Sequence, residues 1–335
     1  MKLLTFTDHT EACISHCLLY GKRLGMEIYL AGADFRAAFG LNLPVGDSFA
    51  GAFLDQQEWR DDKLYPAHSM ECTIRKAAEG ELDNVFIRDI SFEEFMSEDF
   101  DYVLLTRNNL IKLTEKIREQ RPKINFLGYS GNVGMRYPSH YAYIGASLND
   151  YWTHDGKRLL IFLELLPCFC FALPSKDDML TVRSFVSFIA HSEIERVLLE
   201  FEDDIAKHGY RLFIQGFNNR DGCYLTFSQG ARLYQSMVAG IHLKSIDGYG
   251  LVLAHIAAVG RPILTDFSFY MGKTLWPIVQ TWGIHVNAGS GHEIADIFLR
   301  TSINIERMEK QARWVQDYFN YEKQADVVKT FLGEL

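Results

Sequence analysis

An aspartate stands directly before a Gly-Tyr-Gly turn at Asp247-Gly-Tyr-Gly250 in this chain of 335 residues. Lys244 and Ser245 precede it. The apolar run Gly250–Val259 reads as a helix, and Gly260-Arg-Pro then introduces a strand. Glycines let a turn gather backbone N–H groups at one point, and the first turn of a helix leaves its own N–H groups without partners. Such a place can hold a diphosphate without a metal, and none is assigned. Asp247 is spaced to accept from hydroxyls beside the phosphates, and His255, a turn or two along the helix, to reach another part of the same ligand. The plainer alternative is a strand–turn–helix with an acidic N-cap.

The elements that would position these residues alternate along the whole chain. Strands are expected at Lys2–Phe6, Glu27–Ala31, Asn84–Asp89, Tyr102–Thr106 and Ile124–Tyr129, with helices over Thr10–Leu24 and Asn109–Arg121. The rhythm restarts with strands at Arg183–Ala190, Tyr210–Gln215, Gly240–Leu243 and Pro262–Leu264. Helices are expected over Ser192–Gly209, Gly230–Met237 and Gly250–Val259. Alternation of this kind favours parallel sheets covered on both faces, an α/β class. Residues 33–80 carry no readable period. The polar break Pro174-Ser-Lys-Asp-Asp178 divides the chain into residues 1–175 and 176–335, and no repeat of 20–50 residues is present.

The turn and helix after Asp247 resemble the donor-binding segment of GT-B glycosyltransferases, in particular the retaining family 4, or group 1, type. There an acidic residue, a Gly-aromatic-Gly turn and a second acidic residue eight positions on grip a nucleotide-sugar. The resemblance implies two Rossmann-like domains facing an interdomain cleft. Asp247 would bind sugar hydroxyls, the amides of Gly248, Tyr249, Gly250 and Leu251 the diphosphate, and His255 would occupy the slot of the ribose-contacting Glu. The Arg and Lys that such enzymes carry after the first strand of the C-terminal domain are absent from Phe188-Ile-Ala-His-Ser-Glu-Ile-Glu-Arg196. That leaves Arg183, Arg220 and Lys244 as candidate counter-charges. The turn starting at Gly216 would hold the base. Phe319-Asn-Tyr-Glu322 sits where the family breaks its two C-terminal helices, the second crossing back to the N-terminal domain.

In the N-terminal half, Asp8 and His9 follow the first strand, where loops of parallel sheets meet ligands; either could be a general base toward an acceptor. Asp8 could equally cap the next helix. Three other patterns read as structural. Asp99-Phe-Asp101 has metal-motif spacing but only ends a helix before a strand. His9, Cys13, His16 and Cys17 share a helix face and read as packing rather than a zinc site. Cys168-Phe-Cys170 alternates like a core strand. Tyr137, Tyr141, Tyr143, Tyr151 and Trp152 could stack on a sugar or fill a core.

The net charge of −9, from 43 acidic and 34 basic side chains, argues against a nucleic-acid tracking surface. A local groove using Arg60, Arg118, Arg121, Lys123 and Arg136 would reopen that reading. Six scattered cysteines and no long apolar run fit a cytoplasmic protein with no integral membrane segment. The expectation is therefore a metal-independent glycosyltransferase that takes a nucleotide-diphosphate sugar as co-substrate and needs no cofactor. Its acceptor is left open between a glycan, a small molecule and a hydroxylated nucleic-acid base, as in phage-type enzymes. A degenerate binding or scaffold module is the non-enzymatic alternative.

Overall fold

The computed structural model describes residues 1–6, 10–31, 35, 70–106, 111–130, 136–185, 192–215, 220–221, 227–243, 249–287 and 289–335, without the side chains of 10, 11, 192 and 193. It divides into two compact units. One comprises Met1–Leu166 and Asn320–Leu335, the other Pro167–Phe319.

The first unit is built on a seven-stranded sheet: β1 (Lys2–Phe6), β2 (Glu27–Ala31), β3 (Ile87–Ile90), β4 (Tyr102–Leu105), β5 (Asn125–Gly128), β6 (Ala142–Gly145) and β7 (Arg158–Leu160). The order is β3-β2-β1-β4-β5-β6-β7, and every pairing is parallel. Parallel strands covered on both faces read as unbroken apolar runs, and β4 is buried along its length. The helix expected over Thr10–Leu24 is one helical stretch that widens from Thr10–His16 into π-helical turns at Cys17–Arg23. Gly21 lies in the wide part, where a Cβ would come within 2.3 Å of Val85.

β6 and β7 have no counterpart in the sequence reading, because strands of three or four residues are too short to show a period. Their neighbourhood explains most of the aromatic cluster. The Tyr137 hydroxyl donates to the carbonyls of Tyr129 at 2.7 Å and Leu105 at 3.3 Å, tying β5 to β4. Tyr143 donates to the Ser147 carbonyl at 2.7 Å, and Tyr141 to Glu115 at 2.8 Å. All three rings are buried, so this part of the cluster is core rather than a stacking surface.

The second unit holds β8 (Thr181–Phe185), β9 (Arg211–Gln215), β10 (Ala239–Ile241), β11 (Ile263–Thr265) and β12 (Gly283–His285), ordered β12-β11-β10-β8-β9 and again parallel throughout. Its core joins β8 to β12 with the helices Ser192–Ala206 and Gly291–Arg300. These helices lie so close that a Cβ on Gly291 would reach within 2.1 Å of the Val197 carbonyl. Cys168-Phe-Cys170 is a turn, not the expected strand. Phe169 is buried while Cys170 is exposed, and both cysteine carbonyls accept from Gln235.

The last two helices, Ile305–Phe319 and Tyr321–Gly333, break at Asn320. Its backbone is left-handed (φ 35°), and its side chain accepts from Lys323 N–H at 3.1 Å. The final helix belongs to the first unit. There Tyr321 bridges the Leu163 carbonyl and the Leu165 N–H, each at 3.2 Å, and Gln324 pairs with both backbone groups of Phe162. Arg23 locks the same corner with a bidentate bond to the buried Glu164 at 2.6–2.9 Å and a contact to Glu322. Burial raises the Glu164 carboxyl above its ordinary value despite Arg23.

Asn320 does two things that alanine cannot, since it tolerates a left-handed backbone and caps the next helix. Asn320→Ala should lower stability to chemical denaturation by about 1–2 kcal/mol, and Asn320→Gly by clearly less. Equal losses, or a larger one for glycine, would contradict this account of the break.

Candidate functional site

In open parallel sheets, ligands collect beyond the carboxyl ends of the strands where strand order reverses. The second sheet reverses between β8 and β10. From the carboxyl end of β10 the chain passes His242 and Leu243, then residues 244–248, and resumes at Tyr249-Gly250 ahead of the helix Leu251–Ala258. His242 is anchored there. Its N–H donates to the Leu264 carbonyl at 2.9 Å, and its carbonyl accepts from the Thr265 hydroxyl at 2.8 Å.

Gly250 is the N-cap of this helix, with φ 82° and ψ 52°. A side chain is strained in that left-handed conformation, which explains a glycine there. Glycine brings no capping side chain, and none among the described residues caps this start, so the N–H groups of the first turn can serve as donors. The helix beds closely on its sheet, since a Cβ on Gly240 would come within 2.6 Å of Ile256. Tyr249, Gly250, Leu251 and His255 are thus brought together. Lys244, Ser245, Asp247, Gly248 and Gly216 lie outside the described residues, as do Asp8 and His9.

His255 is buried, 2 % exposed, with its ring stacked on Phe169 at 3.8 Å and 12°. Tyr234 lies 5.2 Å away and in turn stacks on Phe185, the last residue of β8. Burial pushes the His255 pKa down to about 3, so the imidazole is neutral. Its Nδ1 has no hydrogen-bond partner among the described residues. Sequence reasoning missed Phe169 as the partner of this ring, because 86 positions separate them and nothing local links them.

The arginines near this site are held by other groups. Arg220 makes a fork to Glu202 at 2.7 and 2.9 Å, with further bonds to Asp221 and the Leu212 carbonyl. It follows β9, two strands from β10. Arg183 donates to the Ser236 carbonyl at 3.1 Å and lies over the Phe213 ring, and burial lowers its pKa. Arg196 bonds Glu200 and the Gly289 carbonyl. Arg261 of the Gly-Arg-Pro segment is fully buried and donates to the carbonyls of Met237, Val259, Ala172 and Gln235, bracing the C-terminus of the helix Leu251–Ala258. The glycine before it explains the tight fit, since a Cβ on Gly260 would meet the Met308 carbonyl at 2.3 Å.

In the first sheet the reversal lies between β1 and β4. Polar groups gather at these strand ends. The Thr106 hydroxyl donates to the Phe6 carbonyl at 2.5 Å, and the Ser130 hydroxyl to the buried Asp150 at 2.6 Å. Asp101 accepts from Lys2 N–H at 2.7 Å, and Asp99 lies 3.4 Å from Arg121, so both are engaged in ending a helix and aligning β4 with β1. Cys13 and Cys17 are buried neighbours, and their mutual hydrogen bond together with burial raises the Cys13 thiol well above its ordinary value.

No family model and no curated protein matches this chain. Solved structures do match it along its full length. Sucrose-phosphate synthase from Thermosynechococcus elongatus superposes with a TM-score of 0.61 at 14 % identity, covering 100 % of this chain and 98 % of that one. The pneumococcal O-GlcNAc transferase GtfA in complex with UDP and GlcNAc gives 0.60 at 10 %, covering 100 % and 99 %. Medicago truncatula UGT71G1 complexed with UDP-glucose gives 0.51 at 10 %, covering 99 % and 98 %. At such identities the likeness is one of fold: this chain has the GT-B glycosyltransferase fold.

The depressed pKa of His255 makes a stability prediction. Its folded value lies below the unfolded value of 6.5, so between pH 6.5 and about 3 the unfolded chain binds a proton that the native chain does not. Stability therefore falls as pH drops through that window, and His255 contributes nothing to the slope above it. By pH 5 the loss amounts to about 2 kcal/mol. His255→Phe should lose correspondingly less stability between pH 7 and pH 5 in urea titrations. An identical loss in variant and parent would show that His255 is not buried neutral.

Proposed function

We propose that this protein transfers a sugar from a nucleoside-diphosphate sugar to an acceptor hydroxyl, without a metal. The observation that carries the reading is the helix start behind left-handed Gly250, capped by no side chain among the described residues, at the strand-order reversal of a GT-B fold. Proteins sharing that fold along their whole length have been solved with UDP and GlcNAc or with UDP-glucose.

In the reaction, the anomeric C–O bond to the β-phosphate breaks and its electron pair leaves with the diphosphate. The acceptor oxygen bonds to the anomeric carbon and gives up its proton to a base, for which Asp8 and His9 are the candidates. The amides of Gly248–Leu251 and the helix dipole stabilise the charge that develops on the leaving phosphate. Asp247 holds sugar hydroxyls. His255, its neutral ring buried against Phe169, sets the position of this helix behind the phosphates. With Arg183 and Arg220 held by other groups, positive charge beside the phosphates falls to Lys244. A nucleic-acid acceptor is not favoured. Arg118 is paired with Glu115, and Arg121 caps the helix Phe92–Ser97 through carbonyls.

The test combines melting shifts by UDP, GDP and ADP with turnover of a panel of nucleotide-sugars, with and without EDTA. At least one nucleotide should raise the melting temperature, and EDTA should leave turnover unchanged. Asp247→Asn should lower turnover about a hundredfold while the protein stays folded. Gly250→Ala, forced into a left-handed conformation, should weaken nucleotide binding. An absence of any melting shift and of any donor turnover would leave a binding or scaffold module instead.

A further inference from the structure

Trp152 keeps 64 % of its surface exposed at the end of the helix Leu148–Thr153, beside the edge strand β7 of the first unit. Its ring is nonetheless held in place. The Arg158 guanidinium lies 5.6 Å from the centre of the Trp152 ring and 4.9 Å from that of Tyr151, and the two rings meet edge to face at 5.0 Å. Arg158 is itself fixed, because it donates to the carbonyls of Tyr151 at 3.0 Å and His154 at 3.1 Å, closing the C-terminal turn of the helix. A cation resting on an aromatic ring orients it, and an ordered ring has little conformational freedom left to lose on binding.

The surroundings of this ring select a kind of ligand. Asn149 stands three residues before Trp152 on the same side of the helix. Thr153, Asp155 and Lys157, its neighbours in sequence, are exposed. Within residues 136–166 no other large apolar side chain is exposed, so along this segment Trp152 offers a single ring rather than a run of apolar residues. One flat apolar surface ringed by hydrogen-bonding groups matches a molecule with a small apolar face and a hydroxylated rim.

We propose that Trp152 is a docking platform for a neutral carbohydrate. The C–H face of one pyranose ring would lie on the indole face away from Arg158, with its hydroxyls served by Asn149. β7 lies three strands beyond β4, about 14 Å across the sheet from the strand-order reversal. The platform is therefore separate from that strand-end region. A single stacking contact binds weakly, which suits a longer glycan held at several points. No nucleotide takes part, so the inference stands or falls independently of the donor reading.

Electrophoresis of the full chain through native gels containing soluble starch, dextran or hydroxyethyl cellulose tests this without nucleotide. At least one polysaccharide should retard the wild type. Trp152→Ala should weaken that association roughly fivefold to tenfold, the worth of one aromatic contact. Asn149→Ala should weaken it in part, and Trp152→Tyr should keep most of it. The melting temperature of Trp152→Ala should fall by only a few degrees, since the ring is mostly in solvent and loses only its contacts with Arg158 and Tyr151. Passage of the wild type unretarded by all three gels overturns the proposal, as does equal retardation of Trp152→Ala. Loss of self-association on Trp152→Ala, seen by light scattering without glycan, overturns it too by making the ring a protein contact.

Discussion

Parallel strand direction is the constraint on which the rest of the structure depends. Every pairing in both sheets is parallel, so the carboxyl ends of the strands in each unit lie along one edge. Order reverses between β1 and β4 in one sheet and between β8 and β10 in the other, the position at which open parallel sheets bind their ligands. The Asp247 turn leaves β10 and the Asp8-His9 pair follows β1, so both sequence features follow a strand at a reversal. Nothing local to either motif requires this; topology supplies it.

Holding the proposed phosphate-binding turn in place requires rigid ground beneath it. The helix Leu251–Ala258 is almost entirely apolar and buried, so its position is set by packing rather than by surface charges. Its own His255 stacks on Phe169, and Arg261 satisfies four carbonyls around its far end. A guanidinium buried this way costs desolvation, seen in a pKa lowered to about 10. Losing it would strand several carbonyls at once. In the first unit the Arg23–Glu164 pair and the Tyr321 bridge play the equivalent part, fastening the last helix to the segment 161–166.

Much of this architecture was legible in the sequence. The strands of the first and second sheets that carry long apolar runs, such as Lys2–Phe6 and Tyr210–Gln215, fall within a residue of their observed bounds. The break at Asn320 was readable from the family resemblance of Phe319-Asn-Tyr-Glu322, and asparagine suits it by tolerating a left-handed backbone and capping a helix. β6 and β7 were not, because a few residues among many tyrosines show no period. The helix expected from Gly230 starts at Phe227, since an amphipathic pattern marks a helix better than it marks its first turn. At the site, glycine placement conveyed the turn. The stack of Phe169 on His255 and the fork from Arg220 to Glu202 were not legible, because side-chain partners distant in sequence leave no local signature.

The central claim is that backbone amides at the start of the helix Leu251–Ala258 hold a diphosphate. A crystal structure of the protein soaked with UDP tests it most directly. The account predicts phosphate oxygens about 3 Å from the N–H groups of Gly250 and Leu251. Nucleotide bound with its phosphates at any other strand end, or none bound while the Gly250 turn stands open in the lattice, would contradict it.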